Sequence, residues 1–442
     1  MNRPYGTRTV DTSLLKDPNI VKFIAQQKVN TTVFVPAKAA EIARKMRSLV
    51  DGLADPSWLT AFEPYLAAKT INQPETIRAI FSAGFKADVA SIAEADLCLW
   101  AGKGLITAEE GIEHSNVWVN EPELRELLDR GVRSFVVDKK NALDWLAGQP
   151  DIKVTLRIRV LDSLGAGQGN KFGMPLESLR EMAQYAASLG LKIEGVAFHV
   201  GSHAFITERP GESPFDNYAN AIRTAAPLCN ELHREGLIGP VVNTEGGYRP
   251  AYADPEYFWE DVMYSQAMAF RTTFKYPVIW RVEPGRLFGP CAVAKILVNN
   301  VDDKDKLRGG KYQYIGLGAS LYVGAHDLHW DVPLFLRESD IRSGRVYTLQ
   351  SHPQEFEPYI AVGYACAGSD QIGLRDNREN IMLPNGLKAG EVLCALPFGA
   401  YTSASLGPQS YQEMEGRYQG PNYGFNGIPW PTNIAYPGYP LD

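Results

Sequence analysis

Residues 64–91 read PYLAAKTINQPETIRAIFSAGFKADVAS, and the changes of period along this stretch decide the fold. PYLAAK is a short apolar run of the kind a buried strand requires. PETIRAIFSAG opens with proline in its first turn and closes on glycine, the start and stop signals of a helix. ADVAS then returns to strand character. The same rhythm extends outward. Upstream, TVFVP precedes AAEIARKMRSLVDGL; downstream, ADVAS leads to IAEADLCLWAG, SFVVD to KNALDWLAG, VTLRIRV to a glycine-rich loop and IEGVAFHV to a long loop. PLESLREMAQYAASLG and NYANAIRTAAPLCNELHREG carry apolar residues at helical spacing. Strands alternating with helices imply a parallel sheet covered by helices. Six or more such units between residues 31 and 300 predict a closed (β/α)8 barrel.

After EPGR at 283–286 the rhythm changes. AVAKILVNN, KYQYIGLG, RVYTLQ, YIAVGYACAG and EVLCAL are short β-like runs separated by turns, which predicts a mainly antiparallel β domain. The tail from about 403 is rich in Gly, Pro, Tyr and Asn without periodicity, and its aromatic content predicts an irregular ordered covering. The 442-residue chain carries a formal net charge of −7 and has no Lys- or Arg-rich run, so nucleic acid and anionic membrane are poor partners. No apolar stretch approaches the roughly 18 residues that span a bilayer. The first twenty residues lack a signal peptide's apolar core. Cys98, Cys229, Cys291, Cys366 and Cys394 form no CxxC, which suits reduced thiols and a cytoplasmic location. The expectation is a soluble enzyme.

Four segments carry chemistry. Lys69 ends the apolar strand PYLAAK, at the barrel end where catalytic groups sit. A desolvated lysine there suits Schiff-base formation with an aldehyde cofactor; taken alone, a lysine reaching solvent explains it as well. His199 and Ser202, in FHVGSH, could stack on a flat ring and hold an anion, although a core histidine is an equal reading. Gly246-Gly247, in TEGGYR, allow backbone N–H groups close to a phosphate, as any tight turn also would. VEPGR at 282–286 is the most specific: Glu283 can keep a pyridine nitrogen protonated and Arg286 can pair with a phosphate, the other reading being a surface Glu-Pro-Gly turn.

These segments, in this order and each at a strand end, resemble the fold-type III decarboxylases that include ornithine and diaminopimelate decarboxylases. The resemblance covers about residues 30–430. It rests on Tyr65 to Lys69, Asp88-Val89-Ala90-Ser91, Leu156-Arg157-Ile158, Lys171-Phe172-Gly173, His199 to Ser202, Glu283 to Arg286 and Gly399-Ala400-Tyr401-Thr402. It implies an α/β fold with a (β/α)8 TIM-like barrel plus a mainly antiparallel β domain, as in alanine racemase and ornithine decarboxylase. The corresponding division is an N-terminal segment 1–33 packing on the β domain, a cofactor-binding barrel over 34–285 and a β domain over 286–442.

The implied cofactor is pyridoxal 5'-phosphate, covalently held by Lys69 and contacted by Asp88, Arg157, His199, Ser202, Gly246, Gly247, Glu283, Gly285, Arg286 and Tyr401. Cys366, with Asp370 four positions on, is implied to enter the partner subunit's site and return a proton to the α-carbon, which makes the enzyme an obligate homodimer with shared sites. Catalysis would fall to Lys69, Cys366, Glu283 and His199. No metal is implied: His326 and His329 have a suitable spacing but no further ligand motif.

The chain departs from the family at the substrate end. Ala367 follows the cysteine where ornithine- and diaminopimelate-type enzymes have an acid, and Leu317-Gly318 stands where ornithine-type enzymes have Asp-Gly. Both anchors for a distal ammonium are therefore missing, which points to an amino acid without one. Tyr322, in ASLYVGAHDLHW, is implied near the substrate with Ala367 and Asp370. Glu245 replaces the first glycine of a Gly-Gly-Gly phosphate loop, and residues 403–424 form an insertion before Phe425-Asn426-Gly427 that could line a pocket. The alternatives are an amino-acid racemase on the same cofactor, against which Glu283 argues, and a catalytically silent regulatory homologue.

Overall fold

The structure is a computed structural model that describes residues 10–160, 172–201, 216–248, 250, 259–302, 312–319, 332–364, 370–372, 380–400 and 433–435. The first strand, β1 (Thr31–Phe34), is followed by a helix over Pro36–Leu53. Then come β2 (Leu59–Ala67), β3 (Lys86–Val89), β4 (Ile112–His114), β5 (Ser134–Val137), β6 (Lys153–Arg159), the short β7 (Met174–Pro175), β8 (Ile193–Ala197), β9 (Val241–Asn243) and β10 (Val278–Val282). Strands β2, β3, β4, β5, β6, β8, β9 and β10 pair in parallel in that order. β10 returns to β2, with Ile279 opposite Ala61, and closes the barrel.

Gly195 shows how closely β8 and β9 pack. A Cβ at this position would lie 1.8 Å from the Val241 carbonyl oxygen, so β8 and β9 approach only without a side chain. Outside the wall, Trp280 meets Phe62 at 5.4 Å and Phe270 at 5.4 Å, wedging the helix Trp259–Thr273 against β2 and β10. Most of the barrel's apolar residues form one continuous core with the surrounding helices.

The second sheet comprises β11 (Ala292–Asp302), β12 (Gln313–Leu317), β13 (Leu334–Arg337), β14 (Phe356–Val362), β15 (Ile381–Pro384) and β16 (Val392–Leu396), in the order β13-β16-β11-β12-β14-β15. All of these neighbours are antiparallel except β12 and β14. β1 joins this sheet, antiparallel to β11, and pairs in parallel with β17 (Asn433–Ala435). Leu14, Leu15, Ile20 and Ile24 pack with Val293, Leu334 and Leu336 on the same sheet.

Two expectations are corrected. TVFVP begins no barrel unit: β1 lies in the second sheet, because an apolar run does not say which ladder it will join. RVYTLQ is no strand. Its Tyr347 packs edge-on against Phe356 at 5.5 Å, while Thr348 N–H donates to Ser351 Oγ at 2.9 Å, so the backbone turns instead of pairing. The four-residue strands LFLR and IMLP were missed. The tail from 403 lies outside the described residues apart from β17. Among the described residues no helix is long and apolar enough to cross a membrane.

Candidate active site at the carboxyl ends of the barrel strands

Lys69 follows β2 directly, in a single 3-10 turn over Ala68–Thr70 that is pinned by Thr70 Oγ1 donating to the Ala67 carbonyl at 2.8 Å. Gly285, after β10, lies against this turn: a Cβ there would come within 2.2 Å of Thr70 Cγ2. Asp88 lies buried in β3, with its Oδ1 lacking a hydrogen-bond partner among the described residues. Arg157 comes from β6, His199 follows β8, and Glu245-Gly246-Gly247 follow β9. The glycines are required by space. A Cβ on Gly246 would meet the Glu283 carbonyl oxygen at 2.8 Å, and one on Gly247, whose φ is +109°, would overlap the Tyr218 hydroxyl.

Glu283 is fixed from below. Asn243 Nδ2 donates to Glu283 Oε1 at 2.7 Å and to Glu113 Oε1 at 3.0 Å, while its Oδ1 accepts the Glu245 N–H at 2.8 Å. Beneath Asn243, inside the barrel, Arg281 forks to three carboxylates: Glu63 at 2.7 Å, Glu113 at 2.9 Å and Glu194 at 2.9 Å. A guanidinium offers five donors in a rigid plane, which suits such a branched ion pair.

The electrostatics follow from burial. Burial raises Glu283 well above the usual carboxylate range, and Asp88, Glu245 and Glu113 push the same way against Lys69. Asn243 occupies Oε1. Burial, with the cations Arg157, Lys69 and Arg286, holds His199 well below 6.5 and keeps its ring neutral. Glu94, whose Oε2 accepts the Ala90 N–H at 2.7 Å, is raised to about 7, first by burial and then by Asp88.

The residues fit pyridoxal phosphate: a strand-end lysine, a buried carboxyl, a neutral imidazole, an arginine and a side-chain-free Gly-Gly turn converge, and buried Asp88 Oδ1 and His199 Nδ1 await partners among the described residues. Lys69, Asp88, Arg157, His199, Gly246, Gly247, Glu283, Gly285 and Arg286 thus gather at one barrel mouth. Asp370 lies beside the end of β14, where its carbonyl accepts the Gly363 N–H at 2.8 Å. Ser202, Tyr322, Cys366, Ala367 and Tyr401 lie outside the described residues. Burial pushes the Cys229 and Cys394 thiols up to about 12, so neither supplies a thiolate. Among the described residues no group of three or more His, Cys, Asp or Glu could hold a metal.

Sequence reasoning missed Asn243, Glu113, Arg281 and Glu94. One signal was available: Arg281 interrupts the apolar run YPVIWRV, and a charge in a buried strand demands a partner.

Residues 39–289 match the pyridoxal-binding domain of pyridoxal-dependent decarboxylases, and the chain belongs to that family. It is 31% identical to the ornithine decarboxylase of Candida albicans over 193 residues, 43% of this chain and 39% of that protein. It is 23% identical to antizyme inhibitor 2 of Xenopus laevis over 425 residues, 92% of this chain and 85% of that one. The crystal structure of the arginine decarboxylase of Paramecium bursaria Chlorella virus superposes with a TM-score of 0.70 at 23% identity, covering 95% of this chain and 98% of that one, a likeness of fold.

Proposed function

We propose that this protein decarboxylates an amino acid, or an amino-acid-derived intermediate, that has no simple distal ammonium, using pyridoxal phosphate bound to Lys69. The observation that carries the reading is the convergence of Lys69 with Glu283, the latter held by Asn243 at 2.7 Å, at one end of the barrel. Bound there, the cofactor supplies an electron sink for the pair left when carbon dioxide departs from the α-carbon.

The chain's own residues prepare that chemistry. Glu283 pairs with the ring nitrogen and keeps it protonated. His199, neutral, covers a ring face without adding a charge, and Asp88 and Arg157 flank it. Arg286 and the N–H groups of Gly246 and Gly247 hold the phosphate, with Ser202 and Tyr401 assigned to the same group. Cys366, delivered with Asp370 by a second copy in a homodimer, returns a proton to the α-carbon.

The substrate class rests on the acids missing at positions 317 and 367. Leu317 is fully buried among Ile315, Val298 and Phe335, so this position offers an apolar core residue and no carboxylate to a cation. Tyr322 and Ala367 are assigned to the same pocket. The likeness to antizyme inhibitor 2 over most of the chain supports a second reading, a regulatory homologue without catalysis.

Absorbance of the purified protein in the near-ultraviolet and visible, before and after borohydride, separates the two. The decarboxylase reading expects a band that reduction removes and Lys69→Ala lacks, followed by carbon dioxide release from amino acids with neutral side chains. A colourless protein that cannot be reconstituted with pyridoxal phosphate promotes the regulatory reading.

A further inference from the structure

Glu245 carries two costs that the fold alone does not require. Its φ is +52°, a left-handed conformation that a residue with a side chain rarely adopts. Its carboxylate is buried, and while Oε2 accepts from Arg157 at 2.7 Å, Oε1 has no hydrogen-bond partner among the described residues. His199 Nδ1 stands 3.6 Å from Oε2 and is likewise without a hydrogen-bond partner among the described residues. A buried acceptor left open in a site marks a place for a donor that arrives with a ligand. The donor chemistry that suits a buried carboxylate oxygen is a charged N–H donor such as an ammonium group.

We propose that Glu245 is a further catalytic residue, whose Oε1 takes a proton from the substrate's α-ammonium and frees the amine to displace Lys69. This rests on the decarboxylase reading above. In the step, one N–H bond of the ammonium breaks and its electron pair remains on nitrogen as the nucleophile. One O–H bond forms at Oε1, and Arg157 stays on Oε2.

The groups facing Glu245 favour the transfer. Arg157 from β6 and Lys69 after β2 are cations, while Asp88 in β3 and Glu283 after β10 are acids and His199 after β8 is neutral. Burial, with Asp88, raises the proton affinity of Glu245 against the opposing pull of Arg157 and Lys69. Lys69, Arg157 and Arg286 lower that of an ammonium arriving among them, so the two affinities move towards each other.

The test uses the cofactor-loaded enzyme and n-propylamine, a probe with an amine and nothing else. Stopped-flow absorbance of the bound cofactor reads amine capture across pH in wild type, Glu245→Gln and Glu245→Gly. Glycine adopts the left-handed conformation freely, so the second variant keeps the turn.

Wild type is expected to capture the amine at a rate that flattens well below the amine's own pKa. Both variants are expected to be slower by about a hundredfold at neutral pH, rising about tenfold per pH unit as free amine appears. Variants that match wild type in rate and pH profile would overturn the proposal and leave the decarboxylase reading standing. Variants that lose the cofactor band would also overturn it, by assigning Glu245 to cofactor retention. A wild type that takes up no cofactor removes the decarboxylase reading itself, and this proposal with it.

Discussion

Arg281→Met removes the charge inside the barrel and keeps the length of the side chain. The three carboxylates it leaves differ in exposure. Glu113 is fully buried, whereas the side chains of Glu63 and Glu194 keep 23% and 26% of their surface. Stranding the buried member of such a pair costs about 3–5 kcal/mol, and the two outer acids add at most about 1 kcal/mol each because water screens them. Glu113 can limit its share by taking up a proton. Burial already raises it despite Arg281, and without Arg281 it rises further. A carboxyl raised in the folded state contributes stability that is present below its unfolded pKa and is lost as pH rises through its folded pKa. The defect is therefore deeper at pH 8 than at pH 5. Urea unfolding of the cofactor-free protein, followed by tryptophan fluorescence at both pH values, measures it, and Arg281→Met/Glu113→Gln should recover much of the loss. A defect below about 1 kcal/mol, or one larger at pH 5, would refute the reasoning.

The remaining expectations concern the mouth of the barrel. Glu283→Gln keeps the acceptor for Asn243 but cannot give a proton to a ring nitrogen; kcat should fall by about a hundredfold or more while borohydride still traps cofactor on Lys69, as steady-state kinetics and mass spectrometry would show. Gly285→Ala should cost roughly 1–3 kcal/mol and lower cofactor occupancy, because its Cβ strikes Thr70 Cγ2 beside Lys69; adding Thr70→Ala should restore part of both. Glu94 is raised from 4.5 to about 7, so stability should decline as pH rises through that window. Partial exposure screens the effect to about 2 kcal/mol, and Glu94→Gln should flatten the slope of the urea midpoint against pH; an unchanged slope would contradict the assignment.

The barrel was legible because its residues switch period in step with the structure. PYLAAK, PETIRAIFSAG and ADVAS became β2, a helix over Pro74–Ser82 and β3. Sheet membership was not legible: β1 reads as an apolar run like any barrel strand, and only its pairing with β11 places it elsewhere. LFLR and IMLP escaped because four residues hold too little alternation to separate a strand from a loop. The strand-end groups of the site were visible in short motifs, and those after β8, β9 and β10 include glycine. The floor of the site was not, because Arg281 and Glu113 are 168 residues apart and meet only when the barrel closes.

That floor explains why residue 243 is an asparagine. Three groups face it at once: the Glu113 carboxylate, the Glu283 carboxyl and the Glu245 N–H. A carboxylate at 243 would add a third acid with no donor between the other two, and an apolar side chain would leave a buried N–H and two buried oxygens unsatisfied, each at a cost of about 1–3 kcal/mol. Among side chains of this size, the amide offers two donors and an acceptor together. Its flip state is then set by the neighbours: oxygen towards Glu245, nitrogen towards the two acids. The same three bonds tie the charge on Arg281 to the orientation of Glu283, through Glu113, and tie both to the turn that presents Glu245 and the two glycines. A change in the barrel floor is therefore transmitted to the mouth by hydrogen bonds of 2.7–3.0 Å, with no movement of the strands required.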